Sequence, residues 1–186
     1  MRKLFLLTLL TFGALGSLAM ASLTAKTPRK SPEFVIQMPD GSQQLLSSYK
    51  GKTIALAFMF TTCPHCQKTA GVLAKVQTEY AEKGVQVLGV TFDDDAPKRI
   101  KDFIRTTGAN FPCGVSTKGP VLEYLGIPPN EPFFVPILVF IDKTGTIRSE
   151  YIGDDQEKFL GNQEVNIRAE LDKYLKTAAP LKTAKP

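Results

Sequence analysis

The sequence predicts an α/β fold with a central mixed sheet and helices on both faces. Three observations carry that expectation. The pattern runs strand–helix–strand–helix, then a hairpin and a closing helix. The run Thr53-Ile54-Ala55-Leu56-Ala57-Phe58-Met59-Phe60 is apolar at successive positions, as a strand covered on both faces must be. Two cysteines, Cys63 and Cys66, stand where that strand gives way to a helix.

Taken in order, Ala25 to Pro32 reads as a linker, rich in Ser, Thr and Pro. Phe34 to Met38 forms a short strand, Pro39-Asp40-Gly41-Ser42 a turn, and Gln43 to Leu46 the returning strand. Ser47 to Lys52 is a loop before the core strand Thr53 to Phe60. The helix from Pro64 to Lys83 places Val72, Leu73, Val76 and Tyr80 on one face, and Gly84 suits its C-terminal cap. Val85 to Phe92 is a second core strand. Asp93-Asp94-Asp95 precedes Ala96-Pro97, and negative charge beside an early proline suits a helix start better than a cation loop. That helix covers Pro97 to Thr107 and stops at Gly108. Phe111 to Val115 is a short extended piece, and Val121 to Leu125 is one or two helical turns. A Pro-rich loop, Ile127 to Phe134, leads into the strand Val135 to Asp142. The turn Lys143-Thr144-Gly145 returns the chain as Thr146 to Tyr151. The closing helix spans Glu157 to Leu175, with Gly161 and Asn162 a weak point inside it.

The ends carry a different message. Arg2 and Lys3 precede an apolar stretch, Leu4 to Leu18, and Ala19-Met20-Ala21 offers a small-residue cleavage site. This is the layout of a secretory signal peptide over residues 1–21, cleaved near Ala21. An uncleaved membrane anchor is the alternative, although Gly13 and Gly16 break the stretch and a spanning helix wants ~20 residues. The expected organisation is therefore leader 1–21, linker 22–32, one domain over 33–175 and a basic tail 176–186. The net charge of +5 is concentrated in those ends. Eight of 23 basic residues (Arg2, Lys3, Lys26, Arg29, Lys30, Lys176, Lys182, Lys185) lie there, leaving 15 against 18 acids. A solvated basic fringe accounts for this distribution better than a nucleic-acid site.

The chemistry centres on Cys63-Pro64-His65-Cys66. With Pro64 opening the helix, Cys63 sits at its N-terminal edge, where unpaired N–H groups and the helix dipole favour a thiolate. Cys66 lies one turn further in and is expected to be more buried, the resolving thiol of a Cys63–Cys66 disulfide couple. His65 adds a potentially cationic ring between them, against the alternative of an ordinary surface histidine. Cys113 is left over. A buried unpaired thiol is the plain reading, with a second resolving cysteine or an interchain link as alternatives.

The entry through a short hairpin, Gly51-Lys52-Thr53 into the strand, and the Cys-x-x-Cys after it resemble the thioredoxin fold, and within it the TlpA/ResA group of exported thiol–disulfide oxidoreductases. The resemblance covers about residues 33–175. It implies that Pro136 is cis and holds the Val135 backbone beside Cys63, where an extended substrate segment can pair with it. The alternative is an ordinary edge-strand proline. It also implies protein thiol or disulfide substrates, a membrane redox partner that recycles the dithiol, a monomeric periplasmic or otherwise exported protein, and no cofactor, metal or nucleic acid. The Cys-Pro-His-Cys and Val-Pro pairs resemble those of DsbA-type oxidants, which implies an oxidising direction. Departures accompany the resemblance. Thr62 stands where thioredoxins often carry Trp, Ala57 where many place a buried acid, and Thr69 where ResA-like reductases carry Glu. Two rivals remain. A copper chaperone on this fold uses a Cys-x-x-x-Cys and a distant His, and the single His here lies inside the motif. A peroxiredoxin needs Thr or Ser three residues before its cysteine, where Phe60 stands.

Overall fold

The computed structural model describes residues 27–152 and 154–177. The leader 1–21, residues 22–26 of the linker and the tail beyond Thr177 lie outside the described residues. The strands are β1 (Arg29–Lys30), β2 (Val35–Gln37), β3 (Gln43–Leu45), β4 (Thr53–Met59), β5 (Val85–Thr91), β6 (Cys113–Val115), β7 (Ile137–Ile141) and β8 (Thr146–Tyr151). The helices are α1 (Pro64–Tyr80), α2 (Ala96–Thr107), α3 (Lys118–Leu125), α4 (Asp154–Gly161) and α5 (Gln163–Thr177). One sheet joins all eight strands in the order β1-β8-β7-β4-β5-β6-β2-β3. β4 and β5 pair in parallel, as do β5 and β6, while β7 runs antiparallel to β4. The fold is thus the mixed α/β architecture expected.

Every residue of β4 is buried, and its alternation divides the core in two. Ala55, Ala57 and Met59 face a cluster that contains Leu73 and Val76 of α1, Phe103 of α2 and Leu171 of α5. Ile54, Leu56 and Phe58 face the other cluster, with Val121 and Leu125 of α3 and with Phe34 and Ile36. The two alanines leave room for helices to approach one face, and the larger side chains fill the other. Gly89 of β5 serves a close approach, since a Cβ there would lie 2.7 Å from Cys113 Sγ.

Several boundaries differ from the sequence reading. The linker ends before residue 32, because Arg29 and Lys30 pair with Ile147 and Thr146 of β8. Arg29 is no part of a solvated fringe. Its Nη2 lies 2.5 Å from Glu150 Oε1 and 3.0 Å from the Tyr124 carbonyl oxygen, an ion pair largely removed from water. Lys176 likewise belongs to α5 rather than to a tail. The closing helix is two helices, broken where Gly161 and Asn162 form the weak point. The hairpin β2–β3 extends the sheet at the β6 edge, where β2 pairs with β6. No helix among the described residues is long and apolar enough to cross a membrane.

Candidate active site

The two cysteines lie at the C-terminal end of β4, where the chain turns into α1. Pro64 fills the first turn of α1 because its missing N–H would have no helical partner there. Cys63 is the N-cap, and its Sγ accepts the backbone N–H of Cys66 at 3.4 Å. That N–H is one of the donors a helix start leaves without a helical partner, and the Cys63 sulfur receives it. Cys66 is wholly buried in the cluster behind β4, whereas Cys63 is half-buried at its rim. Burial pushes the Cys66 thiol well above the ordinary range, since desolvation disfavours the thiolate. The backbone N–H of Phe60, donated to Cys66 Sγ at 3.4 Å, acts in the opposite direction.

The loop before β7 closes the site from the other side. The Val135–Pro136 peptide bond is cis. The Cys63 thiol donates to the Val135 carbonyl oxygen at 3.9 Å, so the expected neighbours do come together. Phe60, Phe92 and Phe133 support this edge, with Phe60 edge-on to Phe92 at 4.7 Å and Phe92 stacked on Phe133 at 5.9 Å. Phe134 is 70% exposed. His65, Lys68, Phe134, Val135, Gln156 and Leu160 line an open cavity of about 560 Å³ beside the dithiol. His65 is exposed on its wall, between the two cysteines in sequence and open to a visiting chain.

Three contributors escape sequence reasoning. Gln156 of α4 donates its side-chain N–H to the carbonyl oxygens of Phe134, at 3.3 Å, and of Pro136, and so holds the loop on both sides of Val135. Gln163 accepts the Thr69 hydroxyl at 2.7 Å, which gives a buried polar residue on α1 its partner. Asp93 is the third. The acidic run Asp93–Asp95 does not cap α2 with its side chains, since Asp95 holds the N-cap position without a side-chain cap bond. Asp93 instead accepts the backbone N–H and hydroxyl of Thr61, both at 2.6 Å. No local pattern marks these contacts, which span 20 to 94 residues. Cys113 is far from such exposure. It is 1% exposed on β6, and burial pushes its thiol up to about 12.

Two sulfurs one helical turn apart, one sealed and one reachable, can exchange the bond between them for a bond from the reachable sulfur to another protein, and re-form it when that protein leaves. On this sheet, that arrangement defines a thiol–disulfide oxidoreductase of thioredoxin-like type. The chain belongs to the Redoxin family, whose pattern matches residues 26–171, and within it is ResA-like. It is 30% identical over 159 residues to the thiol-disulfide oxidoreductase ResA of Geobacillus thermodenitrificans (strain NG80-2), covering 82% of this chain and 86% of that one. ResA of Bacillus thuringiensis subsp. konkukian (strain 97-27) is 26% identical over 152 residues, or 82% and 78% of the two chains. Among solved structures, the thioredoxin domain of a thiol-disulfide oxidoreductase from Bacteroides vulgatus superposes with a TM-score of 0.60 at 25% identity, over 74% of this chain and 99% of that one. A thiol:disulfide interchange protein of the thioredoxin family from Chlorobium tepidum TLS shares the fold, with a TM-score of 0.66 at 21% identity over 81% and 99%.

Proposed function

We propose that this protein is an exported oxidant of protein thiols, working through Cys63 and Cys66 and recharged by a membrane redox partner. The observation that carries the reading is the inequality of the two sulfurs. Cys63 Sγ receives the Cys66 N–H at the rim of the site, while Cys66 is out of reach of any partner. A substrate thiolate attacks Cys63 Sγ of the Cys63–Cys66 disulfide, and the S–S electron pair leaves on Cys66, which takes up a proton. A second substrate thiolate then attacks the substrate sulfur of the mixed disulfide. Cys63 leaves as thiolate, the substrate has lost two electrons and the dithiol has gained them. The membrane partner returns the pair to the disulfide. The Val135 backbone offers the substrate an extended segment to pair with, and Pro136 holds that loop.

The oxidising direction rests on Pro64 and His65 between the cysteines and on the helix N-terminus behind Cys63. Groups that stabilise the reduced form make the disulfide a stronger oxidant. Equilibration with glutathione tests it. A reduction potential above about −200 mV supports the oxidant, and one near ~−270 mV assigns the same dithiol to reduction. The basic start, apolar stretch and small-residue site of residues 1–21 support export, cleavage near Ala21 and a periplasmic setting, checked by sequencing the N-terminus of protein recovered outside the cytoplasm. The protein acts as a monomer, and light scattering of the exported form checks that.

A further inference from the structure

Asp93 holds the peptide plane that leads from β4 toward the two cysteines. Its Oδ1 accepts the Thr61 N–H and its Oδ2 the Thr61 hydroxyl, each at 2.6 Å, and Thr61 is 5% exposed. The carbonyl at the other end of that same peptide unit, Phe60 C=O, accepts the Cys63 N–H at 3.3 Å. One residue earlier, the Phe60 N–H points at Cys66 Sγ. Gln67 secures the next peptide by donating its side-chain N–H to the Thr61 carbonyl at 3.0 Å. The segment Phe60–Thr61 thus contacts both cysteines, and a carboxylate from the β5–α2 junction anchors it.

The charge matters as well as the anchor. The titratable groups that act on Cys66 are Cys63, on its own helix, and Asp93, from the opposite junction, and both oppose its ionisation beyond the larger effect of burial. Once Cys63 is joined to a partner sulfur it carries no charge, and Asp93 is the one of these two that still does. We propose that Asp93 is a positioning residue that sets the lifetime of the mixed disulfide: it fixes the Phe60–Thr61 peptide and places a negative charge near the sulfur that must next become negative. This rests on the dithiol reading of the site and adds a control on its second step. In that step Cys66 gives its proton to solvent, and its electron pair forms the bond to Cys63 Sγ. The bond from Cys63 to the partner breaks, and the partner leaves as a thiolate that takes up a proton. A long-lived mixed disulfide suits an exchange in which the partner's own second thiol must reach the bond before Cys66 does.

The reduced full-length protein reacting with dithiobis(nitrobenzoate) reports both steps. Cys63 releases one thionitrobenzoate on attack, and Cys66 releases the second on resolution. Asp93→Asn keeps an acceptor for the Thr61 N–H and removes the charge. Its second phase is expected to run about threefold faster near pH 7, with the midpoint of its pH profile lowered. Thr61→Val keeps the charge and loses one anchor, so its second phase slows about threefold at an unchanged midpoint. A D93N second phase with the wild-type midpoint overturns the proposal, as does a T61V second phase at wild-type speed. A wild-type protein that releases a single equivalent sinks the dithiol reading itself, and this proposal with it.

Discussion

The end of β4 and the strand β6 each present a cysteine to the same hydrophobic cluster, and they treat it in opposite ways. Cys63 and Cys66 stand where a strand becomes a helix, so backbone N–H groups without helical partners point at sulfur. Cys113 lies within a strand, packed against the space that Gly89 leaves, and no donor relieves its desolvation. The residue type is the same, and the backbone around it decides whether it reacts. A helix start makes a thiol usable, and a strand interior turns it into packing.

The sharpest break of that contrast is at Cys63. Cys63→Ser is expected to lower insulin reduction and substrate oxidation by roughly a thousandfold, while Cys113→Ala stays within about twofold. Equal losses would show that β6 takes part in the chemistry. Cys66→Ser leaves the first attack intact and removes resolution. Turnover falls roughly a hundredfold, and a mixed disulfide with substrate accumulates on non-reducing gels. The packing half of the comparison is tested by Gly89→Ala, whose Cβ would meet Cys113 Sγ at 2.7 Å. It should cost about 2 kcal/mol in urea unfolding, and Cys113→Ala in the same chain should return part of that loss.

A smaller effect distinguishes the two environments by pH. The Cys113 thiol is pushed up from 9.0 to about 12, so the folded chain keeps a proton there that the unfolded chain gives up. Its contribution to stability is complete below the unfolded value and is lost as pH climbs from there toward the folded one. Wild-type stability should therefore fall more steeply than that of Cys113→Ala in this window, by about 1.4 kcal/mol per pH unit. Parallel alkaline curves would mean that Cys113 is more open than its burial indicates. The acid side shows the converse at Asp142. Burial alone would raise its carboxyl, but the Thr144 hydroxyl, the Thr146 N–H and Arg148 outweigh it and the net shift is downward. That stabilisation is present above the ordinary carboxylate value and lost as pH drops below it. Asp142→Asn should remove ~1 kcal/mol near pH 7, after allowance for its partial exposure, and flatten the acid limb.

Much of this fold can be read from local pattern. The doubly apolar run Thr53–Met59 announces a central strand, because no solvent-facing strand carries Ala, Leu, Phe and Met in succession. The turn at Gly145 and the caps at Gly84 and Gly108 can be read as well, since each needs a left-handed backbone that glycine adopts freely. Arg29 shows where that reading stops. A basic residue in a Ser/Pro-rich stretch has the composition of a solvated tether, and its partner Glu150 lies 121 residues away. Asp93 shows the same limit inside the site. An acid ahead of a helix has a sound local reason to cap it, and a neighbouring loop brought alongside by β4–β5 pairing supplies a stronger one in Thr61.

The sequence by itself determined that a dithiol would stand at the mouth of a helix, because four consecutive residues set both the spacing of the sulfurs and the helix that begins beneath them. Only the tertiary structure decided how unequal those sulfurs are and which side chains hold the walls around them. Burial, and hydrogen bonds between segments distant in the chain, exist only once the sheet has brought its strands together.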